Sequence, residues 1–340
     1  MTDDPLTYER AGVSLDAAES VVERIRAAVT STHGREVMGG HGGFAGLFAP
    51  SVGDPLLSAA CDGAGTKVLL GHAARRYRGL GIDTVAMSAN DVITSGGRPA
   101  FFLDHITCGR IDPGVVGELV EGVAEGCRIA GCVLLGGETA EHPGMMEPEE
   151  FDIAGFCVGV CERRELVSGA RIEAGDAILG LPSSGPHSNG FSLVRSLIDR
   201  AGAGLDSTPP ELGGASVADA LLEPTAIYAR AIAELARTVD VRGMAHITGG
   251  GVPGNLARQF PRGLGADIDT SAWERQPVFG WLASLGVDDD EMWRVFNMGL
   301  GFAAVVAAES TDVALKALER GGMPGFVAGR VVEGDGVTLR

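Results

Sequence analysis

Three short acidic, glycine-rich stretches carry the residues best suited to chemistry. They are Asp62 to Lys67 (DGAGTK), the pair Asn90-Asp91, and Gly136 to Glu138 running into Thr139-Ala140-Glu141 (GGETAE). Magnesium takes oxygen ligands and commonly bridges protein carboxylates to phosphate oxygens. Asp62, Asp91 and Glu138 offer such carboxylates from three separate segments. Three carboxylates beside apolar runs are costly to bury unpaired, so they hold a cation or cap turns and helices. Asp62 alone fits a turn equally well, because Asp-Gly is a common turn pair. Lys67 follows Thr66 and offers a point charge to a phosphate, or else is a solvated first-turn lysine. Thr66 itself caps that helix or binds phosphate. The glycines let backbone N–H groups approach an anion. The combination points to a nucleoside triphosphate site of a kind other than a P-loop.

The second half holds two further loops. Ser183 to Gly190 (SSGPHSNG) places the hydroxyls of Ser184 and Ser188 and the amide of Asn189 before a helix, where free N–H groups favour anions. His187 is its only titratable side chain, and serves as proton carrier, phosphate ligand or hydrogen-bonded structural residue. His246, ahead of Thr248, Gly249, Gly250 and Gly251, poses the same alternatives. Near the N-terminus, Gly39-Gly40-His41-Gly42-Gly43-Phe44 reads as a loop anchored by Phe44, or as a lid that closes over nucleotide.

Hydrophobic periodicity supplies the elements that must position these groups. Helices are expected over 16–30, 68–77, 83–94 (with Asp83 as N-cap), 112–130 (opened by Asp112-Pro113), from 191, from 225, and over 311–319. Strands are expected over 55–61, 99–107, 132–135, 151–161, 177–181, near 245, over 266–268 and 295–307, with a terminal pair. The polar stretch 162–175 separates a four-stranded N-terminal domain, 1–168, from a C-terminal domain, 169–340. The fold class is α/β (α+β) with two domains.

The chain has 340 residues and a formal charge of −18, with no basic stripe, which argues against a nucleic-acid partner. No apolar run approaches the roughly 18 residues of a membrane span, and the polar start MTDDPLTYER lacks a signal-peptide core. Six cysteines without a C-x-x-C pair are expected as small buried apolar residues in a reducing cytoplasm.

In order and spacing the motifs resemble one family, phosphoribosylformylglycinamidine cyclo-ligase (aminoimidazole ribonucleotide synthetase) of purine biosynthesis. The stretches that carry the resemblance are GGHGGF at 39–44, DGAGTK at 62–67, GGETAEHPG at 136–144, SSGPHSNGFSLVR at 183–195, EPTAIY at 223–228, HITGGG at 246–251 and FNMGLG at 296–301. The resemblance implies a homodimer in which the N-terminal sheets of two subunits form a barrel, with the C-terminal mixed sheet covered by helices. It implies ATP and Mg2+ as cofactors and formylglycinamidine ribonucleotide as substrate. ATP then lies against Gly42, Gly43, Asp62, Gly63, Gly65, Thr66, Lys67, Asn90, Gly136, Gly137 and Thr139. The metal lies on Asp62, Asp91 and Glu138. Substrate lies against Ser184, His187, Ser188, Asn189, His246, Thr248, Gly249 and Gly250, with His187 and Lys67 as catalytic groups. Ala64, His41, His142 and Gly97-Arg98 depart from the family pattern without removing a ligand. Related ATP-using families, thiamine-monophosphate kinase among them, share the first motifs but fit SSGPHSNG and HITGGG less well.

Overall fold

A computed structural model describes residues 7–9, 37–38, 46–50 and 54–340. The expected helix over 16–30 and the glycine stretch 39–44, with Gly42 and Gly43, lie outside the described residues.

The first unit contains β1 (Val37–Met38), β2 (Gly46–Phe48), β3 (Pro55–Gly63), α1 (Lys67–Ala73), α2 (Arg78–Ile93), β4 (Arg98–Cys108), α3 (Pro113–Ala130), β5 (Val133–Glu141) and β6 (Phe151–Glu162). Its six strands are ordered β1-β2-β3-β6-β4-β5. β4 and β5 are parallel and joined by α3, a connection long enough for a crossover; the other pairs are antiparallel. One sheet face is apolar and buried: Ala60, Phe102, Ile106, Ile153 and Cys157 pack with Val85 and Val92 of α2 and Leu119 and Val123 of α3. The α2–α3 contact depends on glycine. A Cβ on Gly122 would lie 1.9 Å from the Arg78 carbonyl oxygen, and one on Gly81 would lie 2.1 Å from that of Leu119.

The opposite face carries the row Ala59, Val158, Phe101, Val133 and the row Cys61, Phe156, Leu103, Gly136. Val133 is 59% exposed and Phe156 39%, so much of this apolar face is open, although Val158 is buried.

The second unit contains β7 (Ala177–Pro182), α4 (Phe191–Ala201), α5 (Val217–Leu222), α6 (Ala229–Thr238), β8 (Val241–His246), α7 (Gly251–Ala257), β9 (Leu264–Ile268), α8 (Pro277–Ser284), α9 (Asp289–Val295), β10 (Leu300–Val306), α10 (Thr311–Arg320), β11 (Phe326–Glu333) and β12 (Gly336–Leu339). Its strand order is β12-β9-β11-β7-β10-β8. Both faces are covered, which explains why β7 and β10 read as unbroken apolar runs. Ile178, Ala303 and Val305 face α4, α5, α7, α8 and α9, while Leu179, Phe302 and Ala304 face α6 and α10.

Several expected elements are corrected. Asp83 is not an N-cap; it lies inside α2, fully buried. GGETAE belongs to β5, an exposed edge strand, rather than to a loop after a short buried strand. The helix expected from Thr225 begins only at Ala229, because Thr225 is bonded to Asp83 of the first unit. Asn297 to Gly299 precede β10 instead of lying inside it, and α9 ends at Val295. The terminal strands flank β9 on either side, β12 parallel to it, and do not pair with each other. Cys61 is exposed, unlike the other cysteines. Among the described residues no helix is long and apolar enough to cross a membrane.

A candidate active site between the two sheets

Asp62 sits near the end of β3, where its Oδ1 accepts the Gly63 N–H at 2.8 Å. Burial pushes its carboxyl up to about 6, and Asp91 adds in the same direction; the Gly63 N–H and His246 oppose the rise. Asp91 projects from α2, and its Oδ1 lies 2.8 Å from Nδ1 of His246 at the end of β8. The neighbouring Asn90 presents its Nδ2 to His246 Nε2 at 3.4 Å and donates to the Ala226 carbonyl at 2.8 Å. Asn90 Oδ1 accepts the Tyr228 N–H at 3.0 Å. This pattern assigns the His246 proton to Nδ1, donated to Asp91. One turn of α2 therefore fixes both ring nitrogens of a histidine from the other unit.

His187 lies beside it, ring centroids 6.3 Å apart, fully buried and with a left-handed φ of 59°. Its Nε2 accepts the Ser184 N–H at 3.3 Å, and its Nδ1 has no partner among the described residues. Burial, then the nearby His246 and Lys67, hold its pKa well below the usual histidine range. The imidazole is therefore neutral, with its proton on the unpartnered Nδ1. Asn189 Nδ2 is a second buried donor without a partner among the described residues. Buried donors of this kind are normally satisfied, so each is a place where an acceptor fits. Asn189 adjoins the other glycine loop, its Oδ1 3.6 Å from where a Gly249 Cβ would stand. Asn255 holds that loop by donating to the carbonyls of Thr248, Gly249 and Gly251.

Lys67 is bonded within the protein. Its Nζ lies 2.9 and 2.8 Å from the two oxygens of Asp83, and donates to the carbonyls of His187 and Glu223 at 2.9 Å each. Lys67 and Asp83 are both 0% exposed. An ammonium has three N–H groups, and all are committed. Asp83 Oδ1 also accepts the N–H and hydroxyl of Thr225 at 2.7 and 2.6 Å. Lys67 therefore joins the two units and holds the carbonyl of His187, with all its N–H groups engaged in this structure. Around it, Thr66 Oγ1 meets Ser192 Oγ and Ser188 Oγ meets Thr225 Oγ1, each at 3.1 Å. Ser184 donates to the Pro224 carbonyl at 2.6 Å.

The structure therefore gathers Asp62, Gly63, Gly65, Thr66, Asn90, Asp91, Ser184, His187, Ser188, Asn189, His246 and the Thr248–Gly250 loop along one seam. It does not gather Gly136, Gly137, Glu138 and Thr139. Glu138 pairs with His105, His105 with Ala154, and Ala154 with Gly63, so three strand spacings, about 14 Å, separate Glu138 from Gly63. Glu138 is on the open face, whereas Asp62 alternates with Ala60 toward the helices. Among the described residues no group of three or more His, Cys, Asp or Glu is placed to hold a metal. Of the expected metal set, Asp62 and Asp91 stand near each other, and Glu138 of the same chain lies apart from them.

Asp83, Thr225, Tyr228 and Gly301 are site residues the sequence reading passed over. A Cβ on Gly301 would lie 1.9 Å from Tyr228 Oη and 2.7 Å from His187 Cε1, which explains the glycine in FNMGLG. The motifs EPTAIY and FNMGLG were the available signal, but their partners lie over a hundred residues away.

Comparison with known proteins shows the family. Residues 42–161 match the N-terminal domain of AIR synthase related proteins, and 173–340 match the C-terminal domain. The chain is 48% identical over 337 residues to a phosphoribosylformylglycinamidine cyclo-ligase of Synechococcus sp. (strain RCC307), covering 98% of each. It is 49% identical over 335 residues to one of Myxococcus xanthus (strain DK1622), covering 97% of each. The fold also matches thiamine monophosphate kinase from Aquifex aeolicus, with a TM-score of 0.63, 18% identity, and 96% of this chain and 98% of that one covered. With two domain models and near full-length relatives agreeing, the chain belongs to the phosphoribosylformylglycinamidine cyclo-ligase family of AIR synthase related proteins.

Proposed function

We propose that this chain is the ATP-dependent ligase that cyclises formylglycinamidine ribonucleotide to aminoimidazole ribonucleotide, releasing ADP and phosphate, in purine biosynthesis. The observation that carries the reading is its near full-length identity to enzymes of that name. The seam supplies compatible chemistry. A formyl oxygen is a poor leaving group. Phosphorylation by ATP makes it a good one; an internal nitrogen then attacks the carbon, loses a proton, and phosphate departs as the ring closes.

Asp62 and Asp91 would hold magnesium, which when bound offsets charge on the transferring phosphoryl group. His246, held by Asp91 and Asn90, presents a fixed imidazole to the seam. We assign His187 the part of hydrogen-bond donor, its Nδ1–H directed at an oxygen of the substrate or its phosphoryl group, while the proton lost by the attacking nitrogen leaves with the departing phosphate. That donor is enclosed, so its loop must yield to ligand. Gly185 (φ 151°) and Gly190 (φ 78°) flank it and give the backbone that freedom. Ser184, Ser188, Asn189 and Thr248–Gly250 would position the substrate or its phosphoryl group.

The reading includes a homodimer joined through the open face of the first sheet, a division of the chain near 168/169, and a cytoplasmic location, which six free thiols suit. In such a dimer Glu138, on that open face, would serve a site shared with the partner subunit.

The test is to mix protein, formylglycinamidine ribonucleotide, ATP and magnesium, and to follow ADP and the imidazole together. Equal formation of both is expected. ADP without imidazole would shift the assignment to phosphoryl transfer onto another acceptor. Asp91→Asn should lower turnover at least about 100-fold, in line with loss of an electrostatic catalytic contact, while the melting curve changes little. Equal turnover at ordinary magnesium would remove Asp91 from the metal set.

A further inference from the structure

Three of the six free cysteines meet at the junction of α3, β5 and β6. α3 ends at Gly131, whose left-handed φ of 77° turns the chain back on the helix. The Gly131 N–H donates to the Arg128 carbonyl at 3.3 Å, and the Cys132 N–H to the Cys127 carbonyl at 2.9 Å. A helix end of this kind brings the residue after the glycine against the residue five positions earlier, usually as an apolar contact. Here both residues are cysteines. Their thiols are hydrogen-bonded, and the Cys132 sulfur is also hydrogen-bonded to Cys157 of β6. Cys127 and Cys157 are buried, and Cys132 is half-buried. The cluster therefore has one partly exposed cysteine and a second held beside it by the backbone turn.

Its interactions with the Cys127 and Cys157 thiols hold Cys132 below the usual thiol range, while the same interactions and burial push Cys127 and Cys157 up. A lowered, partly accessible thiolate is the form that reacts with peroxide.

We propose that Cys132 is an oxidation site at which hydrogen peroxide yields a reversible Cys127–Cys132 disulfide. The Cys132 thiolate attacks one peroxide oxygen, giving a sulfenic acid and hydroxide. Cys127 sulfur then displaces the sulfenic oxygen, and its proton leaves with that oxygen as water. Two thiols are oxidised and one peroxide is reduced to two waters. The bond fastens the end of α3 to the start of β5, the strand that carries Gly136, Gly137 and Glu138.

Arg128 lies between the two cysteines, so trypsin separates them unless they are linked. The full chain is treated with hydrogen peroxide, alkylated, digested and read by tandem mass spectrometry, whose fragment ions tell Cys132 from Cys157 and Cys161 on the shared tryptic peptide 129–163. The expected result is one pair of peptides joined through Cys127 and Cys132, with both thiols lost and both regained on treatment with dithiothreitol. Cys127→Ser should instead leave a Cys132 sulfenic acid that dimedone traps. Oxidation of exposed Cys61 with Cys132 still alkylated would overturn the proposal. A Cys132–Cys157 link, or no dimedone adduct at Cys132 in folded Cys127→Ser protein, would overturn it as well.

Discussion

Lys67 shows how far a residue's type can be read without its partners. Its place after DGAGT suggested a phosphate, but its ammonium is bonded to Asp83, sixteen positions on, and to a carbonyl 156 positions away. Removing one partner of a buried ion pair leaves the other charge uncompensated. Lys67→Met should therefore cost about 3–5 kcal/mol in denaturant unfolding. A loss below about 1 kcal/mol, the scale of an exposed ion pair, would contradict that joining role. His187 offers a pH test. Its imidazole is neutral when folded, with its pKa lowered by burial, and titrates near 6.5 when unfolded. Below about pH 6.5 the unfolded chain binds a proton the folded chain does not, so stability falls as pH falls. His187→Asn, a residue that tolerates the left-handed backbone, should flatten that fall by up to about 1.4 kcal/mol per pH unit. Parallel stability curves for the two proteins between pH 6.5 and 5 would show that His187 is not held neutral.

Among the elements, strands and helices with one clear period emerged close to where the pattern put them. α3, opened by Asp112-Pro113 and closed at Gly131, is the clearest, because its caps are written in neighbouring residues. β5 was misread because its glycines resemble a loop, yet parallel pairing with β4 holds them extended. α5, α8 and α9 escaped notice because they are only six to eight residues long, too short for a period to emerge. The α2–α3 crossing gives a paired test. Gly122→Ala should cost about 1–3 kcal/mol through overpacking against Arg78. Gly117→Ala, in the same helix with nothing within 4 Å of the added methyl, should gain up to about 1 kcal/mol. Equal thermal shifts for the two would mean that the helices do not approach as closely as described.

For the whole molecule, the apolar face of the first sheet that no helix covers is the surface that matters most. Rows of Ala59, Val158, Phe101 and Val133, and of Cys61, Phe156 and Leu103, make a face suited to a second sheet. The protein should run as a dimer on light scattering, and Phe156→Asp should shift it to monomer by burying a charge in the interface. A wild-type monomer with full activity would refute the shared-site reading of Glu138.

The sequence alone determined the family, the two-unit α/β plan, and the residue types along the seam, because these rest on local pattern and on motif order. Only the tertiary structure decided which groups meet. It joined Asp91 to His246 and Lys67 to Asp83 and His187, and it set Glu138 on the far face of the sheet. Those outcomes depend on sheet register and on packing between units. A shift of one residue in a strand reverses the face of every side chain, and no local spacing records that choice.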